Sequence, residues 1–442
     1  MILSDSAQRL IDLIEKFGFE AYAVGGCVRD GIMNRSCDDI DITTSTKPDE
    51  LERILTDYHI RFIETGIQHG TITVLYENSS FEVTTFRTDG NYCDSRHPEN
   101  VSFVSDIKED LARRDFTINA MAYNNRTGLV DLYGGYDDIC KKCIRAVGDA
   151  DTRFKEDALR IMRAIRFASV LGFKIEENTD KALFANKELL KNVSAERIYT
   201  ELSKLLMGDN VFQILTQYRE IIAVCVPEVC HIFNIEQNTK WHIYDVWCHT
   251  AKAVEQSPKD LAIRYTMLLH DIGKAFSKTT DENGTDHFKG HQKISEGYAH
   301  SALKRLKAPN EIYNRVMAVV PIHDIHIGIE RKNVKKWLSK LGESTLRDLI
   351  EVKRADKRAQ NPGMTAPELE RLNITETVLN DILNNGEPFT VKDLKINGND
   401  LMSLGLQGRK IGEVQKLLLD KVMAEELPNE KNDLLDYCNR IK

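Results

Sequence analysis

Between Gly25 and Thr44 the chain reads GGCVRDGIMNRSCDDIDITT, and no other stretch limits the fold as tightly. Two adjacent glycines follow the apolar run Ala21 to Val24 and lead into a helix-like segment carrying Arg29 and Asp30. With no side chains in the way, the backbone at Gly25 and Gly26 can approach a phosphate closely at a helix start. Further on, Asp39 and Asp41 flank Ile40 in the run DIDIT. A strand's period of two puts both carboxylates on one face and turns Ile40 and Ile42 toward a core. Oxygen ligands on a rigid strand suit magnesium, which takes one or two carboxylates and fills its other positions with water and substrate phosphates. Taken alone, these features also fit a tight turn followed by a strand with a solvated acidic face.

At 442 residues the chain exceeds one ordinary core, so roughly two to four domains are expected. A composition 42% hydrophobic and 29% charged belongs to a soluble globular protein. The start MILSDSAQRL lacks the apolar core of a signal peptide, and runs such as IIAVCVP are too short for a membrane span. Nine scattered cysteines, with Cys140 and Cys143 as a lone C-x-x-C, predict reduced thiols and a cytoplasmic setting. The net charge of −8 weighs mildly against a nucleic-acid partner, but binding depends on where the charge lies.

In chain order, residues 4–17 read as an amphipathic helix leading into the strand before the glycines. Lys47 to Thr56 reads as a second helix, opened by Pro48. Strands follow at 70–76 and 80–87, joined by a Glu-Asn-Ser turn, which gives a small mixed sheet backed by helices. Glu82 on the second strand is as well explained by an exposed position as by a ligand role. A polar, irregular loop runs from Thr88 to Ser105, and EDLARRDFTINAMAYN (109–124) is expected to return to helix, with Arg113, Arg114 and Asp115 at one end. DLYGGYDDI (131–139) reads as a Gly-rich turn closing this region.

The segment RFKEDALRIMRAIRFASVLGF (153–173) is expected to form one mostly buried helix. On it Asp157, Arg160, Arg163 and Arg166 recur every three residues as a polar stripe. A salt-bridge ladder would explain the stripe. So would base recognition: one turn apart, Asp157 can accept from an exocyclic amine while Arg160 donates to a ring nitrogen. Cytosine and adenine present that edge, whereas guanine and uracil present the reverse, at about 1–3 kcal/mol per mismatched pair.

GG-x-VRD, D-x-D, RRDFTINAMA and EDALR-x-x-R, over residues 20–170, resemble the class II tRNA nucleotidyltransferases, the CCA-adding enzyme and poly(A) polymerase family. The resemblance implies an α+β fold: an N-terminal polymerase β-like head with a small mixed sheet, then an all-helical neck, body and C-terminal part. It implies Asp39 and Asp41 as catalytic magnesium ligands. Gly25, Gly26, Arg29, Arg114 and Asp115 would bind the nucleotide, with Asp157 and Arg160 as the protein template and Arg163 and Arg166 also facing it. Asp94 and Arg96 match the family's flexible loop. The activity implied is addition of C, C and A from CTP and ATP to a tRNA 3′ end, without a membrane partner. A poly(A) polymerase of the same fold is the nearest alternative, although ETGIQHGTITV lacks the basic run those enzymes carry there.

From 176 to 225 the pattern is helical, and a different set then appears: His249, His270 with Asp271, His291, His323 and Asp356. In this order they resemble the HD superfamily of metal-dependent phosphohydrolases. That resemblance implies His249, His270, Asp271 and Asp356 as ligands of a second divalent metal, with His291 and His323 at further positions. It opens another alternative, an HD phosphohydrolase with a nucleotide-sensing N-terminal half. The expected division is a head at 1–145, a neck and nucleobase-recognition region at 146–225, an HD domain at 226–365 and a helical tail at 366–442. In the tail, Arg409 and Lys410 open a helix after a Gly-rich turn, suited to RNA phosphates or simply to solvent.

Overall fold

The computed structural model describes residues 3–37, 39–89 and 101–441, which form two compact units, Met1–Val226 and Pro227–Lys442. Asp94 and Arg96 lie outside the described residues.

The first unit begins with helix α1 (Asp5–Lys16), capped by the Ser4 hydroxyl, which accepts from the Ala7 amide. Its Ala7, Leu10, Ile11 and Ile14 face is fully buried. Each large side chain so buried contributes about 1.5–3 kcal/mol. Strand β1 (Ala21–Val24) ends at Gly25, whose φ of 79° only glycine adopts freely, and α2 (Gly26–Ile32) follows at once. Strand β2 (Asp41–Thr44) and α3 (Pro48–Asp57) come next, the latter with proline in its first turn.

Strands β3 (Arg61–Gly66), β4 (Thr71–Tyr76) and β5 (Ser79–Thr85) form an antiparallel meander. The β4–β5 turn places Glu77 and Asn78 at positive φ, as a two-residue hairpin requires. A short pair, β6 (Arg87–Asp89) and β7 (Val101–Phe103), leads to α4 (Ile107–Ala112). Strands β8 (Met121–Asn124) and β9 (Gly128–Asp131) complete a seven-stranded sheet of order β3-β4-β5-β2-β1-β8-β9. Only the β2–β5 pair in it is parallel.

Three local expectations are corrected. β2 begins at Asp41, so Asp39 precedes the strand and is exposed, and Ile40 is only half-buried while Ile42 is in the core. Residues 109–124 do not form one helix: α4 stops at Ala112, a 3₁₀ turn covers Thr117–Asn119, and Met121–Asn124 is drawn into the sheet between β1 and β9. Nor is 153–173 one helix. After α5 (Gly135–Cys140), α6 (Ala150–Glu156) ends at an extended Asp157 (φ −137°, ψ 103°), and α7 (Leu159–Leu171) starts afresh.

The unit continues through α8 (Glu177–Asn186), α9 (Ala195–Leu206), α10 (Val211–Gln217) and α11 (Arg219–Cys225).

Among its described residues the second unit is helical apart from one small hairpin, Thr279–Thr280 with Asp286–His287. Around α13 (Leu261–Leu269), buried from Ala262 onward, are α12 (Val246–Gln256), the short α14 (Lys274–Ser277), α15 (His291–Arg305), α16 (Asn310–Val319) and α17 (Arg331–Arg358). Next, α18 (Pro362–Asn384) packs on α17 and runs across the division expected at 365/366. The last helices, α19 (Gly398–Ser403), α20 (Arg409–Met423) and α21 (Lys431–Arg440), share a small core around Leu401, Leu418 and Leu434.

Candidate active site and metal-ligand cluster

In the first unit the glycine turn is crowded by two guanidinium groups. A Cβ on Gly25 would lie 3.0 Å from Arg114 Nη1, and one on Gly26 3.6 Å from Arg29 Nη2. Arg29, 8% exposed, donates to Asn119 Oδ1 at 2.7 Å and to both oxygens of Asp30. Arg113 and Arg114 share the fully buried Asp110, at 2.8 and 3.2 Å, which also accepts from Thr43 Oγ1. Asp110 is a residue that sequence reasoning missed, although its spacing from both arginines (i, i+3 and i, i+4) was there to find.

Asp41 is the electrostatic focus of this region. Glu82 is its register partner across the parallel β2–β5 pair. Burial, then the charges of Asp39 and Glu82, push the Asp41 carboxyl up to about 6, against an opposing pull from Arg114. Three carboxylates crowded this way are relieved by a bound cation, and they fit a magnesium ion. The sequence left Glu82 open between an exposed position and a ligand role; the strand pairing sets it beside Asp41.

Asp115 is held elsewhere. Its Oδ1 accepts from the Phe116 amide and Asn119 Nδ2, and its Oδ2 from Arg163 at 2.7 Å. Burial alone would raise its pKa, but the charge of Arg163 and the hydrogen bonds from Asn119 and Arg163 hold it at about 2.

All members of the polar stripe are paired within the unit. Arg166 donates to the buried Glu201 at 2.9 Å and lies 3.6 Å from the centre of the Phe167 ring. Arg160, 7% exposed, donates to Glu156 at 2.7 Å and to the carbonyls of Arg113 and Arg153. Asp157 accepts from the Leu159 amide and from Arg197 at 2.8 Å. Because Asp157 is extended, it and Arg160 do not stack on one helix face, and each is turned to its own protein partner. Arg160 nonetheless reaches the Arg113 carbonyl, beside the arginine that crowds Gly25.

In the second unit, His249, His270, Asp271, His291, His323 and Asp356 converge. Asp271 sits at the centre: its Oδ2 is 3.1 Å from His270 Nε2 and 3.5 Å from His249 Nε2, its Oδ1 3.3 Å from His291 Nε2 and 3.9 Å from His323 Nε2. Asp356 Oδ1 lies 3.0 Å from His249 Nε2. Each ring's Nδ1 faces a backbone carbonyl, of Ala359 for His249, Met267 for His270, Phe288 for His291 and Val320 for His323. A carbonyl only accepts, so the proton sits on Nδ1 and Nε2 offers a lone pair.

His291 and His323 therefore bring two acceptors to 3.1 Å of each other. His270 Nε2 and Asp271 Oδ2 are both buried, 3.1 Å apart, and Asp271 Oδ2 also lies 2.7 Å from Lys274 Nζ. Burial works to lower the His270 pKa, but Asp271 and Asp356 outweigh it and push it up to about 9, so with no cation bound His270 Nε2 also carries a proton, which a bound cation would displace. This donor set fits divalent cations, with Asp271 offering one oxygen to each half of the cluster. Elsewhere, Cys140 and Cys143 are free thiols, and no described helix is long and apolar enough to cross a membrane.

A family described as the Poly A polymerase head domain matches residues 21–145, an RNA and SrmB-binding site of polymerase A matches 172–229, and tRNA nucleotidyltransferase domain 2 matches 285–438. The CCA-adding enzyme of Lactobacillus delbrueckii subsp. bulgaricus is 47% identical over 224 residues, 51% of this chain and 55% of that relative, so this match spans about half the relative's length. The CCA-adding enzyme of Lactiplantibacillus plantarum is 32% identical over 99% of this chain and 96% of its own. The crystal structure of the Bacillus stearothermophilus CCA-adding enzyme with CTP superposes with a TM-score of 0.70 at 26% identity, covering 99% of this chain and 97% of that one.

Proposed function

Because this chain belongs to the CCA-adding enzyme family, the tRNA nucleotidyltransferases, we propose that it adds C, C and A to the 3′ end of tRNA, taking CTP and ATP in turn. The observation carrying this reading is the half-buried Asp41, in register with Glu82 and coupled by charge to Asp39 and to Arg114, the arginine that crowds the glycine turn. Magnesium held by Asp39 and Asp41 would supply charge neutralisation at the α-phosphate and a lowered pKa for the attacking 3′-hydroxyl.

The chain's own groups do the rest. Gly25 and Gly26 let the triphosphate approach the backbone, and Arg29 and Arg114 hold its oxygens. Asp115 acts through Arg163, keeping that guanidinium in place. Asp157 and Arg160 read the base once the incoming nucleotide draws them from Arg197 and Glu156. Within the family, a relative matched along its full length and named a CCA-adding enzyme favours CCA addition over poly(A) addition. Free thiols suit a cytoplasmic setting, and of the expected divisions we keep those at 145 and 225, while the one at 365 gives way to α18, which runs through it.

Incubation with tRNA lacking its terminal triplet, supplied with each nucleotide singly, tests the proposal. Incorporation of CTP and ATP, without GTP or UTP, is expected; long A-tails from ATP alone would point to a poly(A) polymerase.

A second reading rests on a separate observation, the converging ligands around Asp271. We assign the second unit as an HD domain with metal-dependent phosphohydrolase activity. The four imidazoles, Asp271 and Asp356 would hold the ions, which supply Lewis acidity and an acidified water. Hydrolysis of a chromogenic phosphate ester that is lost in His270→Ala tests it.

A further inference from the structure

Six polar side chains of the first unit join into one network that runs from the glycine turn to the stripe on α7. Arg29 on α2 donates to Asn119 Oδ1 at 2.7 Å, and Asn119 Nδ2 donates to Asp115 Oδ1 at 3.1 Å. Asp115 Oδ2 accepts from Arg163 at 2.7 Å, and Glu201 lies 4.0 Å from Arg163 and 2.9 Å from Arg166. The three guanidinium groups gather around one ring, 5.1 Å (Arg29), 5.5 Å (Arg163) and 3.6 Å (Arg166) from the centre of Phe167. Building on the nucleotidyltransferase reading above, we propose that Asn119 and Phe167 are positioning residues that couple the phosphate seat at Arg29 to the nucleoside seat on α7, so that filling one tightens the other.

Asn119 is the joint. It is 5% exposed, it closes the 3₁₀ turn at Thr117–Asn119, and its carbonyl oxygen would lie 3.8 Å from a Cβ on Gly25, so it underlies the glycine turn itself. The two ends of its amide are not interchangeable. A guanidinium only donates, and Asp115, held at about 2, is a carboxylate that only accepts. The amide oxygen therefore faces Arg29 and the nitrogen faces Asp115, and a rotation that served one would strand the other. Each end of a buried amide is costly to leave unpaired, so Arg29 and Asp115 hold one another's geometry through it.

Phe167 adds a second tie that needs no hydrogen bond. It is 4% exposed and packs edge-to-face with Phe116 at 5.9 Å. A cation within about 6 Å of a ring centre is drawn to the ring face, and here one ring serves arginines from both α2 and α7. Asp30, Asp115 and Glu201 balance the three positive charges. When Arg29 adjusts to phosphate oxygens, the amide and the ring that fix Arg163 adjust with it, and the two seats share one set of contacts. Asp157 and Arg160 take other partners, Arg197 and Glu156, so base choice lies outside this network.

The test titrates the full chain calorimetrically with CMP in Mg²⁺, alone and at saturating pyrophosphate, two ligands that fill the nucleoside and phosphate seats without being joined. Repulsion between them enters every protein alike, so the ratio of the two CMP dissociation constants, compared between wild type and variant, isolates the link. Pyrophosphate should favour CMP binding about fivefold more in the wild type than in Asn119→Ala or Phe167→Leu, and CMP should shift pyrophosphate affinity by the same factor. The kcat/KM for CTP should fall about tenfold in both variants with the preference for CTP over GTP retained, which general loosening of the site would not preserve. Should Asn119→Ala fail to fold, Phe167→Leu, which keeps an apolar side chain in place, decides. An unchanged ratio in the deciding variant, or loss of base choice there, overturns the coupling and leaves the nucleotidyltransferase reading standing. A wild type that binds neither CMP nor CTP and extends no tRNA overturns both.

Discussion

Asp41 and Glu82 stand opposite one another in register on the parallel strands β2 and β5, and their proximity, with Asp39, pushes the Asp41 carboxyl up to about 6. A carboxylate that meets repulsion from two others is poised to be stabilised by a divalent ion, and Glu82 takes part in that balance. Glu82→Gln should therefore slow nucleotide incorporation about 100-fold while leaving CTP binding in the absence of divalent ions nearly unchanged. Single-turnover rates alongside equilibrium CTP binding check this.

Arg160 is clamped by Glu156 and two backbone carbonyls, so its guanidinium is fixed beside Arg113 rather than loose in solvent. Arg160→Ala should relax base choice, raising GTP and UTP misincorporation about 10- to 100-fold relative to CTP. Asp157→Asn should do the same through loss of the acceptor for the exocyclic amine. Competition assays with paired nucleotides measure both.

Much of this site was legible beforehand, and the failures have local causes. The Gly25–Gly26 turn and the buried α7 face follow from backbone freedom and helical periodicity, which are properties of the residues themselves. Asp157 defeated the helix template because its carboxylate caps the Leu159 amide and pairs with Arg197, forty residues away, and both favour an extended backbone there. Met121–Asn124 has no strong preference alone and becomes a strand because β1 and β9 flank it. Glu82 was ambiguous for a similar reason: alternation shows which way it points, but only the parallel pairing with β2 shows what it points beside.

Asp115 links the site to acid stability. Its pKa falls from 3.8 in the unfolded chain to about 2 when folded, so its ion pair stabilises the native state above pH 4 and loses that contribution as the pH falls toward 2. The difference is on the order of 2 kcal/mol for this buried group. Asp115→Asn should lower stability at neutral pH and flatten the decline of melting temperature between pH 4 and pH 2, as seen by thermal unfolding at a series of pH values.

In the second unit, Asp271 offers one oxygen to each half of the ligand cluster. Metal analysis after loading with Mn²⁺ should find about two ions per chain in the wild type, about one in His291→Ala and none in Asp271→Ala. Chelation should lower the melting temperature, since ions bound to the native state alone stabilise it.

Asp41→Asn offers the most direct check on the central claim, assayed with tRNA lacking its terminal triplet, CTP and ATP. The wild type should extend the RNA by C, C and A and stop, while Asp41→Asn, still folded and still binding CTP, should show incorporation reduced by about 1,000-fold or more. Incorporation at near wild-type rate by Asp41→Asn would contradict the account.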